Sequence, residues 1–538
     1  MTSPGSADRP RPPAPHDQPE QVVGSAAAAL FLVAGAVVLL ASSGDVARSS
    51  TVAGATPIRV VAPEGGVRSP AIVLAHGFSG SAAMMDPMAS ALARAGHVVV
   101  MPDLPGHGGN AAPLEDAVLE PAVGDAVTAA AELTGLPVAV VGHSMGAGAV
   151  TSWAVDNRAE ATVGISLPSA EDLPEDPARP RNLLVLWGSV EQARFSEAAL
   201  AALHAGYPDA QPGQTYGDPE QGTARRAVEI AGAEHISVIY RQQSYEEVAA
   251  WLGAGDPRGD ARMVGVLLVL VGGVLAARPL LALAGGPGQP GRGAGGSEGT
   301  APLGSDGSEA TAPLGSGGSG RLGSGGSGGS EGTAPLGVGW SLAVLSGAAV
   351  IAGLGAAALQ PLTDRVPVAV TGYLLGWFAV GTLILGMVTQ RRRALRGTLR
   401  GLGWGALAGS VLALAMAMPA RLTWAAYALV GPRPWVFGVL VVVLGAWFWA
   451  ESRLIDGTWG WRRAVVLVSS RLLVVVGLLA AVALLGAPGF LTLTVPLVVP
   501  ILLVLAILGG WARDPAAAAA AQSIPLALVM ATTFPLIG

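Results

Sequence analysis

Of the chain's 538 residues, 51% are hydrophobic and 13% charged, a balance too apolar for an ordinary water-soluble enzyme, so part of the chain is expected in lipid. It has no cysteine, and all 31 basic residues are arginine, which excludes disulfides, thiolate metal sites, Schiff-base lysines, Ser-Lys dyads and a Walker A phosphate loop. The mild net charge of −6 gives no reason to expect a nucleic-acid partner.

Met1–Gln21 is Pro-rich and polar and reads as a disordered tail. Val22–Ala41 is an apolar run long enough to span a bilayer, and the long, weakly basic segment before it favours an uncleaved anchor. The small residues Ala41-Ser42-Ser43 leave a cleaved signal peptide as the alternative. Either one exports the segment after it.

Thr56–Leu252 has the charge density and alternation of a soluble domain. Strands are predicted at Ala71–Ala75, His97–Met101, Val138–Val141, Thr162–Ser166, Leu183–Trp187 and Ala227–Ala231. Helices are predicted between them at Ala82–Ala95, Ala122–Leu133, Ala147–Val155 and Ser196–Ala205. This alternation implies an α/β fold, a parallel sheet with helices on both faces.

Arg262–Ala284 is a second apolar span, and Gly285–Gly337 reads as a flexible Gly/Ser-rich linker with near-copies of one unit at Ser297, Ser308 and Ser330. Val338–Gly538 is expected to be an all-α transmembrane domain of about seven helices, making nine in the chain. They lie near Val338–Leu359, Val368–Val388, Gly401–Met418, Trp435–Ala450, Ala464–Leu485, Phe490–Gly510 and Ala516–Ile537, with Trp424–Val430 a candidate re-entrant piece.

The loops carrying Arg391, Arg392, Arg393, Arg396, Arg400 and Arg453, Arg462, Arg463 are expected on the cytoplasmic side, and those carrying Arg365, Arg421 and Arg433 on the other. Counting back, Thr56–Leu252 is extracytoplasmic in a multi-pass protein of the cell membrane. Trp404, Trp435, Trp459, Trp461 and Trp511 read as interfacial anchors. Arg471 is the clearest charge inside a span, placed either to snorkel to the inner surface or to serve a function. No carboxylate falls inside these predicted spans, which counts against a proton- or cation-coupled transporter.

The chemistry centres on Pro137–Gly148, PVAVVGHSMGAG. An apolar β-branched run strikes G-x-S-x-G and continues into small residues able to begin a helix. Glycines at 142 and 146 permit a turn sharp enough to lift the Ser144 hydroxyl clear of the sheet. A serine hydroxyl is a poor nucleophile at neutral pH and needs a base, itself oriented by a carboxylate. With the chain order serine, acid, histidine, only His204 and His235 of the seven histidines qualify as base. His204 lies within a helical Ala/Leu pattern, whereas His235 sits in a loop after the last strand, so His235 is the expected base.

Glu191, just beyond Leu183–Trp187, is the expected acid, with Glu171 or Asp172 next and Asp209 or Asp218 after them. The oxyanion hole is expected from the Met145 N–H and from the Phe78 N–H in the loop His76–Gly80. His76 reads as a structural loop residue.

AHGFSG from Ala75, MPDLPGHG from Met101, GHSMG from Gly142 and GAEH from Gly232 together resemble the α/β-hydrolase superfamily, in order and over roughly Ile58–Leu252. The resemblance implies an open sheet of about eight strands, a triad of Ser144, acid and His235, serine-esterase or lipase-like hydrolysis, and structural loop roles for Asp103 and His107. Glu191 departs from the aspartate usual in that family. Leu167–Pro180, where relatives insert a lid, is too short and Pro-rich for a helical cap. No motif implies a metal or cofactor.

These residues point to a membrane-anchored serine hydrolase taking an acyl-ester or lipid-like substrate through an acyl-enzyme. An acyltransferase using the same triad is its close relative. The contrasting reading is a catalytically inactive binding or scaffold protein, or a transport-associated one.

Overall fold

The computed structural model describes residues 17–253, 255–285, 337–390, 397–456, 458, 460–485 and 491–538. The expected tail as far as residue 16, the linker and its repeats, Arg391, Arg392, Arg393, Arg396 and Trp459 lie outside the described residues, while residues 17–21, expected to belong to that tail, begin the first helix.

An eight-stranded sheet has the order β1-β2-β4-β3-β5-β6-β7-β8. Its strands are β1 (Val46–Ala53), β2 (Thr56–Pro63), β3 (Arg68–Ala75), β4 (His97–Pro102), β5 (Val138–His143), β6 (Thr162–Ile165), β7 (Leu183–Gly188) and β8 (Arg225–Ile230). The six strands from β3 to β8 are mutually parallel, and β1 and β2 add an antiparallel hairpin against β4.

Alternate residues of each strand face opposite layers. Ile72 and Leu74 of β3 pack beneath α2 (Ala82–Arg94) and α6 (Gln242–Trp251). Ala71, Val73 and Ala75 face α3 (Leu119–Thr134) and α4 (Met145–Asp156), and Leu183, Val185 and Trp187 of β7 face α5 (Ala193–Gly206). Buried on both faces, the central strands read in sequence as continuous apolar runs.

The domain begins earlier than the expected Thr56, because β1 pairs along its whole length with β2. Only its end residues Val46 and Ala53 are buried, and its middle, ARSSTV, is polar and partly exposed. An edge strand of that kind leaves no apolar run to detect.

Among the described residues nine long helices stand outside the sheet domain: α1 (Asp17–Ser43), α7 (Arg262–Ala284), α8 (Val338–Thr363), α9 (Thr371–Thr389), α10 (Leu399–Ala420), α11 (Arg433–Leu454), α12 (Trp461–Leu485), α13 (Leu491–Trp511) and α14 (Pro515–Thr533). Among the described residues eight are long and apolar enough to cross a membrane, and Val498–Trp511 is a shorter apolar helix. Small residues let them approach closely. A Cβ on Gly35 of α1 would lie 2.8 Å from the Gly265 carbonyl of α7, and one on Gly405 of α10 would lie 2.5 Å from Ala517 in the alanine run of α14. The segment Trp424–Val430 contains no helix and forms the connection between α10 and α11.

Two expectations for this region are corrected. Helix α11 continues past Ala450 to Leu454 and carries Glu451, so a buried carboxylate does lie within a span. Arg471 does not snorkel: it is 2% exposed and forks onto Glu451 at 2.7 and 3.0 Å, with Gln522 of α14 accepting a further bond at 2.5 Å. Each charge makes the other tolerable in the apolar interior, and this lets α11 run on.

A second ionic cluster joins the sheet domain to the helices. The Asp86 carboxylate, fully buried on α2, meets Arg48 at 3.2 Å, Arg59 at 3.4 Å and Arg262 at the start of α7. Arg262 also pairs with Asp260 at 2.6 Å and donates to the Leu422 carbonyl at 3.0 Å, in the connection between α10 and α11.

Candidate active site

Strand β5 delivers the apolar run Val138–Val141 into the turn at Ser144, and α4 starts at the next residue. Ser144 has φ 53° and ψ −118°, a backbone state that non-glycine residues reach only under strain of about 1–3 kcal/mol. The surrounding packing enforces it. A Cβ on Gly142 would stand 2.2 Å from the Gly146 carbonyl oxygen, and one on Gly146 would stand 2.5 Å from the His76 carbonyl oxygen. Only glycine fits at either position.

The Ser144 hydroxyl donates to His235 Nε2 at 3.0 Å across 91 residues of sequence, and His235 Nδ1–H donates to Glu191 Oε2 at 3.2 Å. Both His235 and Glu191 side chains are almost wholly buried, at 6% and 1% exposure. The structure therefore brings together the expected nucleophile, base and acid. The alternatives lie elsewhere: Glu171 and Asp172 are exposed in the segment after β6, Asp209 is exposed, and Asp218 caps a turn with Thr223 and Gln221. His204 sits on α5 and its ring bonds the Ala210 carbonyl.

Four residues that sequence reasoning missed complete the arrangement. Ser166, with φ 53° at the end of β6, donates to Glu191 Oε1 at 2.7 Å, and the Gly188 N–H donates to the same oxygen at 2.8 Å. Phe195 stacks on the His235 ring at 4.4 Å between centroids. His143 donates through Nε2 to the His235 backbone carbonyl at 2.8 Å, pinning the loop that carries His235. Its Nδ1 is buried with no partner, and burial first, then the neighbouring His235, pushes its pKa down to about 3. Only the small polar Ser166 following an apolar strand could have hinted at any of these.

Met145 opens α4, so its N–H is one of the four that a helix leaves without an intrahelical partner, next to Ser144. Phe78 lies in the loop after β3, held by a histidine lattice. His76 donates through Nδ1 to the Gly77 carbonyl and accepts the Leu104 N–H at Nε2, while His107 Nε2 accepts the Ser79 N–H at 3.2 Å. These partners fix the tautomers. Asp103 accepts the N–H groups of Ala82 and Gly109, both at 2.8 Å. His76, Asp103 and His107 thus shape loops. Between Ile165 and Leu183 there is no helix or strand to cover the site.

Residues 70–194 match a family model described as the alpha/beta hydrolase fold. A comparison with curated proteins gives no match. Similar solved structures include a protein from Thermus thermophilus, 18% identical, covering 39% of this chain and 99% of that one with a TM-score of 0.31. Epoxide hydrolase A from Mycobacterium thermoresistibile is 18% identical over 39% of this chain and 99% of its own, with a TM-score of 0.27. A membrane phospholipase A described as a bacterial virulence factor is 13% identical over 44% and 95%, with a TM-score of 0.31. The sheet domain has the alpha/beta hydrolase fold, its segment 70–194 is similar to the family of that name, and it is joined to a bundle of membrane-compatible helices.

Proposed function

We propose that this protein is a multi-pass membrane serine hydrolase that cleaves acyl esters through an acyl-enzyme, with its sheet domain on the extracytoplasmic face. The observation that carries the proposal is the continuous line Ser144 Oγ, His235 Nε2, His235 Nδ1, Glu191 Oε2 at 3.0 and 3.2 Å. In that line Ser144 attacks the ester carbonyl as His235 takes its proton. Glu191 holds the ring and stabilises the imidazolium. The N–H groups of Phe78 and Met145 receive the developing oxyanion. Collapse expels the alcohol, which takes the proton from His235. Water, deprotonated by His235, then releases the acid and restores the Ser144 hydroxyl.

The orientation rests on arginine placement. Arg365, Arg421 and Arg433 lie at the helix ends nearest the sheet domain, and Arg400, Arg453, Arg462 and Arg463 at the opposite ends, which fits a cytoplasmic far side. The acid assignment is tested by turnover of a short acyl ester. Glu191→Ala should lose on the order of 10³ to 10⁴ in kcat with the fold intact, and Asp172→Ala should not change it. Full activity in Glu191→Ala with loss in Asp172→Ala would overturn the assignment.

A further inference from the structure

The catalytic rim of the sheet domain lies against the end of the helical bundle. In the loop after β4, the Gly106 carbonyl accepts from Arg433 Nη2 of α11 at 2.7 Å and from the Leu536 N–H at 2.8 Å, while the Leu536 carbonyl accepts the Leu114 N–H at 2.8 Å. After β7, Gln192, adjacent to Glu191, donates to Thr492 of α13 at 3.2 Å. Beyond His235, the Tyr240 hydroxyl donates to the Thr423 carbonyl at 3.1 Å. Every one of these three loops leaves the carboxyl end of a strand, the edge on which Ser144 stands. Their partners come from one end of the bundle: the α10–α11 connection, the starts of α11 and α13, and the stretch after α14.

Two further observations mark that end as the lipid–water boundary. Trp435, two residues beyond the buried Arg433, leaves 51% of its surface exposed at the start of a span, where an indole serves as an interfacial anchor. Val190, immediately before Glu191, is 67% exposed, an apolar side chain on the rim itself.

We infer that the substrate is a long-chain acyl ester of a membrane lipid, presented to Ser144 at headgroup depth while its chains stay in the leaflet; this rests on the hydrolase reading above. Drawing an acyl chain of about 15 methylenes into water costs roughly 12 kcal/mol at about 0.8 kcal/mol each. A site remote from the bilayer would have to offset that cost. Here the loops beside Ser144 rest on one end of the bundle, which would set the site at the surface where the ester already lies.

The test uses the full chain in nanodiscs of mixed phosphatidylglycerol, phosphatidylethanolamine and diacylglycerol. Released fatty acid is measured by mass spectrometry, beside hydrolysis of p-nitrophenyl butyrate and labelling by a fluorophosphonate. The inference predicts fatty-acid release by the wild type, none by Ser144→Ala, and a kcat/KM for the bilayer ester at least about tenfold above that for the butyrate. Labelling and butyrate hydrolysis without fatty-acid release would overturn the inference and leave the hydrolase reading standing. Absence of all three would overturn both.

Discussion

Ser144 is held in a strained backbone state by two glycines that admit no side chain, and in four buried histidines of the sheet domain burial disfavours the charged form. His76, His97, His107 and His143 all have pKa values lowered from 6.5, with desolvation the leading cause in each, and His143 reaches about 3. In the unfolded chain these rings titrate near 6.5, so below that pH the unfolded state binds protons that the folded state does not. Stability is therefore complete above pH 6.5 and falls as the pH drops, by about 1.4 kcal/mol per pH unit for each histidine in its window. Thermal melts of the full chain in detergent should show the sheet domain losing Tm steadily between pH 6 and 4. A flat Tm across that range would contradict the burial of these rings. The residues of the line Ser144, His235, Glu191 were legible because each follows an apolar strand. Ser166, His143 and Phe195 were not, because their contacts join separate strands and carry no local pattern.

At the scale of elements, apolar runs located six of the eight strands and the long helices, while the edge hairpin β1–β2 and the true end of α11 escaped. Both failures have one cause: a hydropathy pattern records each residue alone, and pairing across space changes what a segment can tolerate. Glu451 and Arg471 show it most clearly, being 1% and 2% exposed in an otherwise apolar bundle. Arg471→Leu should destabilise the bundle by about 3–5 kcal/mol by leaving the Glu451 carboxylate buried without its partner. The double replacement Glu451→Leu with Arg471→Leu should recover most of that loss. Thermal unfolding monitored by tryptophan fluorescence separates the cases, and a single variant as stable as the wild type would show that the pair does not hold α11 to α12.

On the scale of the whole molecule, the two halves meet through Asp86 with its three arginines and through the rim contacts at Gly106, Gln192 and Tyr240. None of this was readable in sequence, because it depends on where two independently patterned regions touch. The juxtaposition places a candidate nucleophile near one end of the membrane-compatible helices, and the proposed chemistry depends on that nucleophile being reactive. The most direct measurement is fluorophosphonate labelling of membranes carrying the full chain, read by gel fluorescence and peptide mapping. The account predicts a single adduct on Ser144 that disappears in Ser144→Ala and weakens in His235→Ala. An unlabelled wild type, or labelling that survives Ser144→Ala, would contradict it.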